Sequence, residues 1–269
     1  MTACLIPRSL EPSCRVSPTS GPVRGESPLK AEEIVEDGLS DFCASIWLED
    51  VSDTLSNSSP TTQEYTGFDI STKHFPRAQK PGMDFHEHDI LQPFPADFHN
   101  RYDLVHIRLL VLALRKDQFE AAVTNVAALL KQGGYIQWEE FETKNMAFNP
   151  PSDITTQVRA IIRKSAQANG LTNTPCADIS QYLNTLGPED VRIVDYDSSS
   201  REDLAPEARE WTKAGAKAAL YYALLRDGAE RSPEETRALA DDLLAKYVYR
   251  IDEGVVPTMP LARVVGRKQ

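Results

Sequence analysis

The sequence predicts an α/β protein in which helices cover both faces of a doubly wound, mostly parallel sheet. Three observations favour this fold class. Two short apolar runs, at 66–70 and 85–90, each contain an acid at the end of the run, and a longer apolar run follows at 102–111. A helical repeat at 116–130 then leads into another apolar run at 135–141. Strands that alternate with helices in this way form parallel sheets.

The acids of the first two runs indicate a nucleoside site. Asp69 stands where a carboxylate at the carboxyl end of a parallel strand holds ribose hydroxyls in doubly wound sheets. Asp89 ends the second run and can accept a hydrogen bond from an adenine amino group. The chain has no glycine-rich phosphate loop with a Lys or Arg beside it, so we expect adenosine without phosphates.

The middle of the sheet is predicted at 102–111, where near-continuous apolar content is typical of a strand covered on both faces. The helix 116–130 is expected to end at Gly133 and Gly134, which suit a left-handed helix terminus. The strand 135–141 completes a βαβ unit, which is almost always right-handed.

Four segments in this chain resemble class I S-adenosylmethionine-dependent methyltransferases: GFDIS at 67–71, FHEHDI at 85–90, YDLVHIRLL at 102–110 and GGYIQWEE at 133–140. In detail they are similar to the LaeA-like branch of fungal secondary metabolism, and the resemblance extends over 34–268. It implies a Rossmann-like seven-stranded sheet, a helical substrate lid and S-adenosylmethionine as the cofactor. It also implies a set of cofactor-binding residues: Asp69 at the ribose hydroxyls, with Ile70 next to it in the set, Asp89 and Ile90 at the adenine, and His106 near the methionine moiety.

One segment departs from the pattern of that family. Its first strand ends in a loop of the form acid-x-Gly-x-Gly, but counting back from Trp47 places Leu39 at the acid, with Asp41 and Cys43 at the glycines. Side chains there intrude on the cofactor. The carboxylate of Asp41 would also repel that of the cofactor by about 1 kcal/mol at ~4 Å in water.

Three interpretations of this loop stay open. Asp41 and Cys43 belong to an altered loop that still binds the cofactor, or to a methyltransferase-like protein that has lost binding. The third interpretation is a splice or frame error in the deduced sequence.

Candidate residues for chemistry lie on the two central strands. His106 is the candidate catalytic base, because the ordinary pKa of histidine is near neutrality, and a hydrogen-bond donor to the cofactor is the alternative. Trp138 and Glu139 are candidates for binding the substrate, since ligands bind at the carboxyl ends of strands. A solvated acidic pair is the alternative for Glu139 and Glu140. His86, His88 and His99 lack the spacing of metal ligands, so we expect no metal site.

The second half of the chain predicts four helices, a short strand at 191–196 and a closing strand at 258–267. The resemblance implies that the helices, mainly within 150–250, form the substrate lid. Trp211, Tyr221 and Tyr222 are then candidates for the wall of the acceptor pocket, with plain core aromatics as the alternative.

Composition and charge limit the remaining possibilities. Residues 1–30 are rich in Pro, Ser and Arg and predict a disordered leader, so we expect one folded domain over 31–269 with a further flexible loop at 57–64. The net charge of −11 argues against a nucleic-acid partner. No apolar run approaches the roughly 20 residues of a membrane span, and the cysteines lack metal or disulfide spacing. We therefore expect a cytoplasmic protein, or a nuclear one if its role is regulatory.

The leading functional hypothesis is methyl transfer from S-adenosylmethionine to an O, N or C centre of a small-molecule secondary metabolite in a fungal biosynthetic cluster. The second hypothesis is a LaeA-like regulatory or scaffold protein with weak or no cofactor binding. The third is an enzyme that reuses the pocket for another reaction, such as a cyclisation. An intact glycine loop would favour the first hypothesis, and the altered loop favours the other two.

Overall fold

The computed structural model describes residues 2–6, 44–56, 63–76, 78–227 and 229–269. The strands of its main sheet are β1 (Thr2–Ile6), β2 (Tyr65–Asp69), β3 (Met83–Glu87), β4 (Tyr102–Arg108), β5 (Leu130–Phe141), β7 (Glu189–Tyr196) and β9 (Leu261–Arg267). A separate two-stranded ribbon pairs β6 (Phe148–Asn149) with β8 (Val256–Pro257). The described helices are α1 (Ala44–Ser56), α2 (Phe119–Leu129), α3 (Asp153–Ala168), α4 (Pro175–Thr185), α5 (Ala205–Leu225) and α6 (Pro233–Asp252).

The main sheet is mixed rather than mostly parallel. Its seven strands lie in the order β3-β2-β1-β4-β5-β9-β7. Only β2 with β3 and β4 with β5 pair in parallel, and every other neighbouring pair is antiparallel. As a result β2, β3, β4, β5 and β7 point one way, and β1 and β9 point the other way. The prediction of a mostly parallel sheet is therefore corrected.

The unexpected strand comes from the predicted disordered leader. Thr2–Ile6 forms β1, which pairs with β2 on one side and with β4 on the other. Its sequence, TACLI, contains β-branched residues and precedes the first proline, Pro7, so the composition of the whole leader concealed it. Residues 7–43, which include Asp41 and Cys43, lie outside the described residues, and so does most of the predicted loop at 57–64.

Helices lie on both faces of the sheet. Val105 of β4 packs with Ile136 and Trp138 of β5 in a core that α2 and α4 cover. Leu104, the neighbour of Val105, faces the other side, because successive residues of a strand point in opposite directions. It packs in a second cluster with Leu48 of α1, so α1 lies on the face opposite to α2 and α4.

Two predicted strands end earlier than expected. β3 ends at Glu87, so Asp89 follows the strand instead of closing it. β4 ends at Arg108, where Leu109 has a φ of 58°, a left-handed conformation outside the extended region of regular strands. The loop after β4 therefore turns sharply away from the sheet at Leu109.

The helix before β5 also ends early. α2 stops at Leu129, and Gly133 and Gly134 lie inside β5. The pairing of β5 with β4 slips at this point, where Tyr102 pairs with Leu130 but Leu104 pairs with Tyr135. Gly133 has a φ of 78°, so the glycines serve an irregularity of the strand instead of a helix terminus.

Three of the helices expected in the lid form a layer of their own. α3, α5 and α6 pack together around Val158, Leu220 and Ile251. α4 lies within the same range of the chain, but its Ile179 and Leu183 are fully buried in the sheet core with α2. The predicted closing strand 258–267 begins later than expected, as β9 at Leu261, and the ribbon strand β8 lies just before the predicted range. No helix in the described part of the chain is long and apolar enough to cross a membrane.

Candidate functional site

The carboxyl ends of β2, β3, β4 and β5 share one edge of the sheet, and Asp69 lies at this edge. Its side chain is only 3% exposed, and its Oδ1 accepts a hydrogen bond of 2.9 Å from the amide of Ser71. The next residue, Ile70, is 47% exposed. A buried acid and an exposed aliphatic side chain therefore lie side by side at the end of β2.

Asp89 and Ile90 lie in the turn after β3. The amide of His88 donates to the carbonyl of Asp69 at 2.8 Å, so the turn begins beside the end of β2. Oδ1 of Asp89 accepts from the amide of Leu91 at 3.0 Å. Ile90 is buried, and its carbonyl accepts a hydrogen bond of 2.9 Å from Asn125 of α2. The two acids are thus at neighbouring positions of the edge, as the sequence predicted, although only Asp69 is a strand residue.

The direction of β1 changes this edge of the sheet. Thr2 pairs with Arg108, so the start of β1 lies beside the carboxyl ends of β2 and β4. The chain leaves β1 after Ile6 at the opposite edge.

His106 lies two residues before the end of β4, on the face of the sheet that α1 covers. Its ring stacks on Trp47 of α1 with a centroid separation of 3.9 Å and an interplanar angle of 7°. The amide nitrogen of Gln137 lies 3.2 Å from Nδ1 of His106 and 3.2 Å from Oε1 of Glu139. Because this nitrogen donates to both, Nδ1 accepts and the hydrogen of the neutral ring is on Nε2.

The environment of His106 favours a donor over a base. The side chain is 1% exposed, and Nε2 has no hydrogen-bond partner among the described residues. Burial lowers the pKa of His106 to about 3, so the expected pKa near neutrality is wrong. A group with so low a pKa takes a proton poorly at neutral pH. His106 therefore presents a buried N–H donor to this part of the site.

Glu139 is held in an ion pair. Nε of Arg263 on β9 lies 2.6 Å from Oε1 of Glu139, as the pairing of these two residues across β5 and β9 requires. The guanidinium of Arg263 also lies 5.1 Å from the centre of the Tyr196 ring on β7. Together with Gln137 and His106, the pair forms a polar row across β4, β5 and β9, so Glu139 is neither freely solvated nor isolated.

Glu140 faces the opposite side and is 0% exposed. Its Oε1 accepts from the amide of Leu110 at 2.9 Å and from the indole nitrogen of Trp138 at 2.7 Å, and its Oε2 accepts from the amide of Val111 at 3.0 Å. Burial raises the pKa of Glu140 to about 7 although these three donors oppose the shift. The expectation of a solvated acidic pair is therefore wrong for this residue.

The structure separates the aromatic candidates for substrate binding. Trp138 is fully buried in the sheet core, with its ring centre 6.0 Å from that of Phe119. Trp211 packs on Phe141 at the end of β5, with ring centres 5.0 Å apart. Tyr221 and Tyr222 stand ten and eleven residues further along α5, about 15 Å away at the rise of a helix. Of this group, Trp211 lies against the end of β5.

Tyr221 is occupied within the helical layer. The guanidinium of Arg237 on α6 lies 3.7 Å above the centre of its ring, and Tyr222 packs edge-on against it at 5.2 Å. These contacts favour the alternative reading of the two tyrosines as packing residues of α5.

The cofactor implied by the resemblance fits the described residues in part. An acid at the end of β2, an exposed Ile70 and a second acid after β3 suit the adenosine half of S-adenosylmethionine. The N–H of His106 suits an acceptor such as a carboxylate. The predicted cradle for the methionine half, with Asp41 and Cys43, lies outside the described residues.

Sequence reasoning missed several residues of this region, including Gln137, Arg263 and the burial of Glu140. One signal was present for Glu140. Residues 136, 138 and 140 share one face of β5, and Ile136 and Trp138 are large apolar residues that predict a buried face. Arg263 gave no local signal, because its partner is 124 residues away in sequence.

Other clusters in the described ranges offer no competing site. The rings of His86, His88 and His99 contact Asp84, the carbonyl of Gln92 and the carbonyl of Phe94, respectively. No three His, Cys, Asp or Glu side chains of the described residues are placed to hold a metal ion. A surface depression of about 590 Å³ is lined by residues of α6 and the start of α3, with no contribution from the sheet edge.

Comparisons with known proteins place the chain beside fungal methyltransferases. No protein-family model matches it. Over 129 residues it is 36% identical to methyltransferase grgD of Penicillium sp, a match that covers 47% of the chain and 45% of the relative. Over 96 residues it is 34% identical to N-methyltransferase gliN of Aspergillus fumigatus, which covers 35% of the chain and 32% of the relative. The chain thus spans less than half the length of these relatives.

Among solved structures, a methyltransferase from Archaeoglobus fulgidus described as dependent on S-adenosylmethionine aligns with a TM-score of 0.40 and 15% identity, covering 76% of this chain and 75% of that chain. A TM-score at this level carries no argument about the present chain. The described strands and helices and the two fungal relatives define the class: a Rossmann-like α/β protein similar to fungal methyltransferases.

Proposed function

We propose that this protein is an S-adenosylmethionine-dependent methyltransferase that acts on a small-molecule secondary metabolite of a fungus. The observation that carries the proposal is the buried Asp69 at the end of β2, in a chain 36% identical to a fungal methyltransferase over 129 residues. The relatives support the reaction class, and gliN is described as an N-methyltransferase. The proposal covers transfer of the methyl group to an O, N or C atom of the substrate.

The residues of the edge have separate roles in this proposal. The bound cofactor supplies a methyl group on a sulfonium centre. Asp69 accepts hydrogen bonds from the ribose hydroxyls, and Ile70 lies beside it. Asp89 and Ile90 hold the adenine, and Asp89 accepts from its amino group. His106 donates through Nε2 to an acceptor on the cofactor and keeps this role across the neutral pH range, since its pKa is about 3. Methyl transfer is an in-line displacement, so the orientation of the substrate atom that receives the methyl group supplies most of the rate enhancement.

A calorimetric titration with S-adenosylhomocysteine tests the proposal. Asp69→Asn keeps an oxygen for the amide of Ser71 but removes the charge, and Asp69→Ala removes both. We expect each variant to bind about 5- to 150-fold more weakly, which corresponds to the roughly 1–3 kcal/mol of charge-assisted hydrogen bonds. Asp84→Asn, at an exposed acid of the next strand, is the matched control and should bind like the wild type. Equal affinity of all four proteins would refute the ribose assignment.

The altered loop of the sequence favours a second candidate function, a regulatory or scaffold protein of the LaeA-like type with weak or no cofactor binding. Asp41 and Cys43 stand where the family pattern has glycines, and side chains at these positions intrude on the cofactor. Under this hypothesis the folded wild type gives no heat with either S-adenosylmethionine or S-adenosylhomocysteine. Resequencing the transcript around Cys43 then separates a cofactor-free protein from an error in the deduced sequence.

A further inference from the structure

Glu140 is the buried acid for which the proposed reaction has no use. It stands on the core side of β5, and its two oxygens together accept hydrogen bonds from two consecutive backbone amides of the loop after β4, those of Leu110 and Val111. The indole N–H of Trp138 also donates to it, at 2.7 Å. Buried polar groups with this many partners fix the segments that they join.

The loop that Glu140 holds is bent and lies at the carboxyl edge. Leu109 has a φ of 58°, and its amide donates to the carbonyl of Glu139 at 2.9 Å. This bend turns the next two amides toward the Glu140 carboxylate. The loop then closes through the amide of Leu114, which donates to the carbonyl of Leu110 at 2.9 Å.

The same loop carries an apolar side chain into solvent. Leu112 is 51% exposed, whereas Leu110 and Leu114 on either side of it are buried in the core. A buried anchor on both sides and the carboxylate behind it fix where Leu112 lies. At the same edge, the large apolar side chain of Ile70 at the end of β2 is also exposed to solvent.

We propose that Glu140 is a positioning residue that fixes the loop 109–112, and through it the side chain of Leu112 in the binding site. The role in binding rests on the proposed function, because it takes the carboxyl edge as the cofactor site. The grip on the loop is independent of any ligand. A carboxylate suits this position because both of its oxygens accept, whereas an amide would turn an N–H donor toward the N–H of Val111.

Amide exchange followed by NMR tests the grip directly. In Glu140→Gln, the side-chain oxygen still accepts hydrogen bonds from the amide of Leu110 and the indole of Trp138. The side-chain nitrogen faces the N–H of Val111, which then has no acceptor. We expect exchange at Val111 to accelerate about five- to tenfold, and more than at Leu110, which corresponds to the roughly 1–1.4 kcal/mol of a lost hydrogen bond. Glu142→Gln is the matched control. Glu142 is also a buried acid, two residues further along the chain. Its carboxylate accepts a hydrogen bond from the amide of Cys176 on α4, which lies outside the loop.

Binding of S-adenosylhomocysteine tests the role of Leu112. Glu140→Gln and Leu112→Ala should each weaken binding by about 3- to 10-fold, and the double variant should bind no more weakly than the weaker single variant, since both changes remove the same contact. Melting curves of all variants identify any that fail to fold. A purely structural role for Glu140 would instead give independent, multiplicative losses.

Two results would overturn the proposal: unchanged exchange at Val111 in Glu140→Gln, or multiplicative losses in the double variant. Absence of binding by the wild type itself would refute the proposed function and the role of Leu112 in binding. In that case the exchange measurement still decides whether Glu140 holds the loop.

Discussion

His106 and Glu140 should give the stability of this protein two opposing dependences on pH. Both side chains are essentially fully buried, at 1% and 0% exposure. Burial lowers the pKa of His106 from 6.5 to about 3 and raises that of Glu140 from 4.5 to about 7. The perturbations are His106→Asn and Glu140→Gln, each of which removes one titrating group and leaves the other.

The sign of each contribution follows from the bound protons. Between pH 4.5 and 6.5, His106 is neutral in the folded protein but protonated in the unfolded chain, so its contribution to stability is lost as the pH falls. Glu140 is protonated in the folded protein and ionised in the unfolded chain over the same window, so its contribution is lost as the pH rises. In the wild type the two contributions cancel over this window.

Each variant should uncover one of the two slopes. The free energy of unfolding of Glu140→Gln should rise relative to the wild type by about 1.4 kcal/mol per pH unit, and that of His106→Asn should fall by about the same amount. Across the two pH units the difference reaches about 2 kcal/mol in each direction, because the slope falls by half where the pH equals the unfolded pKa of the group. Urea unfolding at pH 4.5, 5.5 and 6.5 measures the free energy of unfolding of each protein. Subtracting the wild-type value at each pH removes the contributions of the other titrating groups. Curves that run parallel to the wild type would refute the reasoning.

Three further predictions concern stability at neutral pH, measured by urea unfolding. Arg263→Met should lower the free energy of unfolding by about 1–3 kcal/mol, because it leaves the half-buried carboxylate of Glu139 without its cation. Adding Glu139→Gln should restore part of this loss, and a second, independent loss would contradict the ion pair. Phe119→Ala should lose about 3–5 kcal/mol from a fully buried site, and a loss below 1 kcal/mol would place the ring outside the core. Ser232→Ala should lose about 1 kcal/mol by removing the side-chain cap of α6, and no loss would show that the capping contact with Glu235 is unimportant.

Local periodicity carried the parts of the fold that the sequence could predict. The apolar residues of β2, β4 and α2 follow the spacing of the structures that they form, so these elements were predicted within a few residues. The position of Asp69 at the end of β2 followed directly. The same alternation would have identified Glu140 as buried, had it been applied to residues 136, 138 and 140 of β5.

Contacts between distant parts of the chain could not be predicted in this way. The direction of β1 depends on its pairing with residues 66–68 and 104–108, and nothing in a five-residue strand encodes which way it will pair. The pKa of His106 depends on burial beneath Trp47 of another element, whereas the sequence offered only the ordinary value. The ion pair of Glu139 with Arg263 likewise exists only once β9 is in register with β5.

The carboxyl edge of the sheet is the proposed cofactor site. Hydrogen exchange of the full chain with and without S-adenosylhomocysteine tests it most directly, because it maps the contact without any assumption about the acceptor. We expect slower exchange at residues 69–71, 88–91 and 109–112 when the ligand is bound, with no change in α3 or α6. Protection confined to the depression between α3 and α6, or no protection at all in a folded sample, would contradict it.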